Sequence, residues 1–263
     1  MTFWTSYHQE KRDRRKFSGY KNVAAALFRK DVFWKRILRW VIFLIVLWVL
    51  STGALVLMLR FVNPPVWAWR IHRTLAPPVE SMPKVRHEWV GMEAISSEMQ
   101  LAVIAAEDQL FPQHHGFDWK AIFAAVDYNQ ERERTRGGST ITQQTAKNLF
   151  LYPARSYIRK GIEAYFTLLL ELLWPKTRIL EVYLNIVEFG PNLYGAEAAA
   201  HVFFDRSAAD LSRTQASRLA AALPNPYRYR IQPPSGYVAR RSAWIRKQMR
   251  QLGQVTLKAV SVN

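Results

Sequence analysis

A mainly α protein, with one membrane-spanning helix ahead of a helical domain, is what this 263-residue sequence predicts, on three observations. Residues 40–59 (WVIFLIVLWVLSTGALVLML) form a 20-residue run without a charge. As a helix it is about 30 Å long, the thickness of a bilayer's hydrocarbon core. Downstream, apolar residues recur at i, i+3, i+4 and i+7, the period of a helix with one buried face. Strand-like alternation is scarce. Apolar residues make up 49% of the chain, enough to bury a core and too many for general disorder.

The apolar run reads as a retained anchor. A buried soluble helix rarely lacks polar residues on every face, and this run offers only Ser51, Thr52 and Gly53. A signal-peptide core is shorter and precedes a small-x-small cleavage site, whereas this run ends at Leu59-Arg60. Residues 1–39 hold 11 Lys/Arg against Glu10, Asp13 and Asp31; beyond the span come only Arg60, Arg70 and Arg73 at first. Positive-inside bias therefore puts the N-terminus in the cytoplasm and sends the remainder across the membrane. Trp34 and Trp40 before the span, and Trp67 and Trp69 after it, match aromatic belts at the two interfaces. The expected division is a basic cytoplasmic arm at 1–39, an anchor at 40–60, a connector at 61–84 and one domain at 85–263. Asn63-Pro64-Pro65 and Pro77-Pro78 predict a stiff, non-helical connector.

Within the domain, Ser97-Glu98-Met99-Gln100 has the form of a capping box ahead of apolar LAVIAAE. Asp118 can cap a helix whose Trp119, Ile122, Phe123 and Val126 share a face. Ser156 opens a long helix through Trp174, closed by Pro175, and its second half is apolar on nearly every face, which predicts burial. Thr177 opens the next, with Ile179, Leu180, Tyr183, Leu184 and Val187 in step. Thr214 or Gln215 begins a short helix ended by Pro224, and a basic helix follows from about Tyr237 to Leu252.

Charge narrows the partner. Lys and Arg number 37 against 20 Asp and Glu, a net +17, and without the first 39 residues the balance is still 26 to 17. Such an excess points to nucleic acid, anionic lipid or a phosphate-bearing substrate. A basic arm beside a membrane span is first a topology signal, which sets nucleic acid aside. The absence of cysteine excludes disulfides, thiolate metal sites, iron–sulfur clusters and a Cys nucleophile.

Three clusters carry polar residues that a plain helix-and-loop plan does not require. The first holds Glu107, Asp108, Phe111, His114 and Gly116. Glu107 closes an apolar helix, where the macrodipole disfavours a carboxylate. A carboxylate kept there, on the rim of a core, is a candidate for a raised pKa and for acid–base work. His114 has no companion ligands in the pattern and reads as a structural hydrogen-bonding group. The second cluster runs from Gly137-Gly138 through Ser139, Thr140, Gln143 and Gln144 to Lys147 and Asn148. Glycines admit a close ligand, the hydroxyls and amides supply neutral hydrogen bonds, and Lys147 adds a point charge. That set suits a ligand with many hydroxyls and a phosphate; the Walker spacing is absent. The third is Arg159-Lys160-Gly161-Ile162-Glu163, with Arg159 and Glu163 placed to pair at i, i+4. Glu163, joined by Lys147, Arg155 and Arg159, is a second acid or the organiser of a phosphate site.

In this order the clusters resemble the membrane-anchored peptidoglycan glycosyltransferases, in particular the monofunctional biosynthetic type. Glu107, Asp108, Phe111, His114 and Gly116 match the family's Glu-Asp-x-x-Phe-x-x-His-x-Gly. Residues 137–148 match Gly-x-Ser-Thr-Ile-Thr-Gln-Gln-x-x-Lys-Asn, and Arg159, Lys160 and Glu163 match Arg-Lys-x-x-Glu. Arg178 to Asn185 match Arg-Ile-Leu-Glu-x-Tyr-Leu-Asn, while Arg218 to Leu223 share only the composition of a fifth motif, Arg-x-Ala-x-Leu. The resemblance covers about residues 85–252, and no transpeptidase domain is expected after it.

The resemblance implies a lysozyme-like helical fold with an extended cleft, and a reaction. Lipid II, the lipid-linked disaccharide-peptide, is polymerised into β-1,4 glycan strands of peptidoglycan, and polyprenyl diphosphate leaves. Glu107 takes the role of general base on the acceptor 4-hydroxyl, and Lys147, Arg155 and Arg159 that of cations receiving the diphosphate. Asp108, Ser139, Thr140, Gln143 and Gln144 are assigned to the sugar subsites, with Phe111, His114, Gly116 and Asn148 as structural members of the motifs. Glu163 is left three roles: orienting the cations, assisting the leaving group, or helping to hold a divalent ion. A divalent cation, Mg or Mn, at the diphosphate and cell-division or wall-synthesis proteins as partners stay open. A lytic glycan hydrolase on the same fold would need an acid for its sugar leaving group and no cations beside its carboxylates. A non-catalytic membrane scaffold would need neither carboxylate.

Overall fold

Helix α1 (Phe33–Leu59) contains the whole apolar run and is long and apolar enough to cross a membrane. The computed structural model describes residues 33–78, 83–120, 123, 138–154 and 156–262, and the chain divides into two compact units, Met1–Leu55 and Val56–Asn263. In the first unit the described residues are all helix and almost all exposed, Trp34 and Trp40 included. Ser51 and Thr52 donate their hydroxyls to the carbonyls of Leu47 and Trp48 at 2.7 and 2.8 Å. The run's polar side chains are thus satisfied inside the helix, as a lipid environment demands.

Among its described residues the second unit is mainly helical, with one small sheet. Its helices are α2 (Ala68–Leu75), α3 (Ser97–Glu107), α4 (Ile141–Phe150), α5 (Tyr157–Leu173), α6 (Lys176–Ile186), α7 (Ala196–Phe204), α8 (Arg213–Ala222) and α9 (Gly236–Val262). Strands β1 (Arg86–His87), β2 (Glu188–Gly190) and β3 (Leu193–Tyr194) lie in the order β1-β3-β2, β1 parallel and β2 antiparallel to β3. Helices α3, α8 and α9 pack on one another, while α4 packs on α5, α6 and α2. The core residues Met99, Leu101, Ile104, Ile141, Ile179, Leu180 and Leu219 are closed to solvent. The mainly helical class is therefore as the periodicity predicts.

Several local expectations are corrected. The cap of α3 is Ser96, whose hydroxyl accepts from the Met99 amide at 3.2 Å; Gln100 bonds instead to the carbonyls of Met92 and Ile95. The connector is not wholly non-helical. Between its proline pairs no residue opposes a helix, and α2 forms there. Trp67 belongs to no interfacial belt: it is 2% exposed and meets His87 and Tyr194 edge to face. Helix α5 begins after Ser156, as expected, yet buries only Glu163, Phe166, Thr167 and Leu170, leaving Leu168 50% and Leu172 78% exposed. An all-round apolar sequence does not say which stripe meets the core. Pro175, rather than Thr177, caps α6; Ser212 caps α8 with a full capping box; α9 extends to Val262 across a break at Gly253 (φ 63°). Trp119, Lys120 and Phe123 are helical, whereas Ile122 and Val126 lie outside the described residues.

The fourth motif does structural work. Arg178 donates to the carbonyls of Leu59 and Val62 at 3.0 and 3.1 Å and to Asn63 Oδ1 at 2.9 Å. Trp174 Nε1 donates to the Val56 carbonyl at 2.7 Å. The Leu59 carbonyl is one that the end of α1 leaves open, whereas the Val56 carbonyl also accepts from the Arg60 amide at 3.2 Å. Asn185 accepts from the Val90 amide at 3.0 Å and donates to the Val90 carbonyl at 2.9 Å, tying the strand-bearing loop to α6.

Candidate active site

Helix α3 ends at Glu107, so the chain turns at Asp108 with the two carboxylates facing different neighbours. Asp108 accepts from the Ile141 amide at 3.0 Å, which is the first residue of α4. An anion there is favoured by the orphan N–H groups and the macrodipole. His114 Nε2 lies 2.9 Å from both Asp108 oxygens, and the Gly116 amide donates to Nδ1 at 3.2 Å. Nδ1 therefore accepts and Nε2 carries the proton donated to Asp108. The Thr140 hydroxyl donates to the Gly116 carbonyl at 2.7 Å and accepts from Gln143, whose amide oxygen accepts from the Thr140 N–H at 2.9 Å. Gly116 has φ 87°, and a Cβ there would sit 2.7 Å from Thr167 Cγ2, so only glycine fits without strain. Phe111 is fully buried, with the Lys176 ammonium 4.6 Å from its ring centroid.

Asp108, Thr140 and Gln143, expected in the sugar subsites, are buried and bonded into the frame that joins the first cluster to the second. The reason is the start of α4, whose amide donors must be satisfied inside the core. His114 is held between Asp108 and the Gly116 amide. Asn148 is buried; Ser139 is exposed in the loop before α4. Gly137 and Arg155 lie outside the described residues.

The other face of α4 gathers the remaining residues. Gln144 donates its side-chain amide to Glu107 Oε2 at 2.7 Å, and its oxygen accepts from Tyr183 at 3.1 Å. Burial pushes the Glu107 pKa up; the Gln144 bond and the positive charges of Arg241 and Lys147 oppose that, and the charge of Asp108 adds to it. Lys147, one turn beyond Gln144, is pushed down by burial and held up by the carboxylates of both Glu163 and Glu107, with Arg159 and Lys160 adding repulsion. Glu163 is 3% exposed and clasped: Arg159 Nη1 is 2.8 Å from Oε2, and the Lys160 ammonium bonds Oε1. The structure thus brings Glu107, Gln144, Lys147, Arg159 and Glu163 together, with Lys147 the neighbour shared by the two glutamates.

The transglycosylase family model matches residues 76–250. A Shewanella oneidensis protein described as a biosynthetic peptidoglycan transglycosylase is 60% identical over 227 residues, 86% of this chain and 97% of its own length. Proteins of the same description from Aeromonas hydrophila and Vibrio parahaemolyticus are 63% and 50% identical, over 80% and 85% of this chain and 89% and 99% of theirs. The chain belongs to the transglycosylase family.

In this transglycosylase, several residues around the glutamates carry no signal in the sequence alone. Tyr183 looks like one more apolar-face residue of α6, and Arg241 like one more charge of a basic helix. Arg241 nevertheless donates to the Ala106 carbonyl at 3.1 Å and lies 4.1 Å from the Trp244 ring centroid, beside Glu107. Lys160 matches the third motif, but its spacing to Glu163 gives it no separate role in the sequence. Glu171, which accepts from Thr142 at 2.6 Å and from Lys176 at 2.7 Å, locks α4 to α5.

The donor set around Glu163 does not suit a bare divalent cation. Both carboxylate oxygens already accept from cations, and the neighbours Lys147, Arg159 and Lys160 are positive. Among the described residues, Glu88, Glu197 and His201 bring ligand-type atoms within 4.8 Å of one another. Glu197 is engaged there structurally, accepting from the Ala208 amide at 2.6 Å and pairing with His201 at 2.9 Å.

Proposed function

We propose that this transglycosylase polymerises lipid II into the β-1,4 glycan strands of peptidoglycan, by inverting transfer with Glu107 as general base. The observation that carries the reading is that Lys147 lies in the field of two glutamates of different character. Glu107 is held by a neutral amide, and burial raises its pKa toward the working pH, where a carboxylate is the better general base. Glu163 is saturated by cations.

The step follows from that asymmetry. The acceptor 4-hydroxyl oxygen attacks the donor anomeric carbon from the side opposite the diphosphate, forming the new C–O bond as the bond to the diphosphate breaks. The hydroxyl proton passes to Glu107. The electron pair leaves on the diphosphate, whose growing charge is met by Lys147, Arg159 and Lys160, cations fixed before the reaction begins. Gln144 aims the carboxylate of Glu107, and its own orientation is set by Tyr183. Among the roles open to Glu163, orienting Arg159 and Lys160 fits its bonding; the step runs through no divalent ion. Ser139 and Gln144 remain the cleft residues for sugar contacts. Attack opposite the leaving group converts an α-linked donor into a β bond.

The substrate is confined to a membrane, so an enzyme tethered by α1 meets it at a raised effective concentration. With 11 basic residues ahead of the span, positive-inside bias places the N-terminus in the cytoplasm and the cleft on the outer side of the inner membrane. The division into arm, anchor, connector and domain belongs to this reading. A gel assay of polymer formed from labelled lipid II by the detergent-solubilised protein tests it. Long glycan is the expected product, with and without chelator. Failure to polymerise, with shortening of purified cell-wall glycan, would replace it by a hydrolase.

A further inference from the structure

Glu188, 7% exposed at the start of β2, is a buried carboxylate for which the proposed reaction has no use. Its Oε2 accepts from Trp69 Nε1 at 2.9 Å and from Arg73 Nε at 3.2 Å, and its Oε1 accepts from the Tyr227 hydroxyl at 2.6 Å. Trp69 and Arg73 are i, i+4 on α2, the helix that packs on α4. The Arg73 guanidinium lies 4.7 Å from the Trp69 ring centroid and 5.1 Å from that of Tyr227. The Lys147 ammonium lies 5.3 Å from the same Trp69 ring centroid. So the indole fixed by Glu188 is the aromatic surface against which Lys147 rests.

We infer that Trp69 is a positioning residue for Lys147, holding its ammonium in the cleft through the ring face while Glu188 and Arg73 lock the indole. The inference rests on the reading of Lys147 as a cation for the departing diphosphate. A lysine side chain has four rotatable carbons and a strongly hydrated head, so in a half-buried site its position must be imposed. A ring quadrupole does this without neutralising the charge. A carboxylate in direct contact would satisfy the ammonium and compete with the diphosphate. The ring also favours the protonated amine, in a setting where burial and the charges of Arg159 and Lys160 on α5 favour the neutral one. Glu163 on α5 and Glu107 on α3 act in the same direction as the ring. The connector helix then has a task in the reaction: it brings one aromatic face to the leaving-group site.

The test uses the full chain in detergent, with a polyprenyl diphosphate as the binding probe and lipid II as the substrate. Trp69→Leu is expected to weaken diphosphate binding about tenfold, the fold-change of a partly desolvated cation–π contact. It should also move the alkaline limb of the polymerisation pH profile to lower pH. Trp69→Phe, which keeps a ring, should recover most of both, and Trp69→Leu should add little to Lys147→Met. Glu188→Gln should move the limb in the same direction by less, and it serves if Trp69→Leu does not fold. Wild-type binding by Trp69→Leu, equal losses in the Leu and Phe variants, or additive losses in the double variant would each overturn the inference. Those outcomes leave the diphosphate reading intact as long as Lys147→Met is impaired. Wild-type behaviour of Lys147→Met would remove that reading, and this inference with it.

Discussion

Gln144 donates its side-chain amide to Glu107 at 2.7 Å, and because Tyr183 donates to the Gln144 oxygen at 3.1 Å, the amide cannot turn over without losing both bonds. A neutral donor of this kind stabilises the ionised carboxylate without quenching it as a salt bridge would. Burial therefore sets the Glu107 pKa above the ordinary range, and the Gln144 bond limits the rise.

Gln144→Ala removes the bond that favours the ionised form, so the Glu107 pKa should rise further. The acid limb of kcat/KM for polymerisation should move to higher pH, with the plateau lowered less than the limb is shifted. An unchanged limb would detach Gln144 from the base.

Glu107→Gln should lower polymerisation by at least about a hundredfold, the usual contribution of a general base. It should also raise the unfolding temperature at neutral pH. The sign follows from the raised folded-state pKa. Stability from this group is fully present below the unfolded pKa and is lost as pH rises through the folded value, so an uncharged amide escapes that loss. Circular dichroism melts of both proteins at pH 5 and pH 8 check it: the gain should appear at the higher pH.

Asp108→Asn keeps the shape but loses the charge that receives both His114 and the first amide of α4. A cost of about 2 kcal/mol is expected, in line with hydrogen bonds to a buried charged group. Denaturant unfolding measures it. Activity should fall with the folded fraction rather than beyond it.

Gly116→Ala places a Cβ against Thr167 Cγ2 in a backbone conformation that L-residues resist. Destabilisation of about 1–3 kcal/mol is expected. Thr167 is fully buried in α5 and cannot step aside. Adding Thr167→Ser, which deletes the clashing methyl, should return part of the loss.

Glu163→Gln leaves Arg159 and Lys160 without their shared counter-charge. Because Lys160 is half exposed, the stability cost should be about 2 kcal/mol, below that of a fully buried pair. If Glu163 orients the cations, which hold the diphosphate both bound and departing, KM for lipid II should rise together with a fall in kcat. A fall in kcat alone would make it the acid that assists departure.

Much of the candidate site was legible before any coordinates, and the misses have physical causes. Glu107 at the end of an apolar helix was visible as an oddity because the macrodipole opposes it there. Arg159 and Glu163 were visible because i, i+4 spacing alone brings them together. Thr140 and Gln143 have the residue types of a sugar site and equally those of a capping box, and composition cannot choose between them. The apolar second half of α5 concealed which stripe is buried, and two proline pairs concealed α2 between them. Nothing in the pattern joined Trp69 to Glu188, 119 residues away.

What the linear order of residues settled is what acts within a few residues or along one helix: the uncharged span, the helical period, both ends of α5, and the sequence of motifs that marks the family. Only the packed molecule decided which polar groups face inward, that one lysine serves two glutamates, and that an indole from the connector reaches it. Those outcomes depend on desolvation, which a side chain acquires from segments distant in the chain and which local spacing cannot encode.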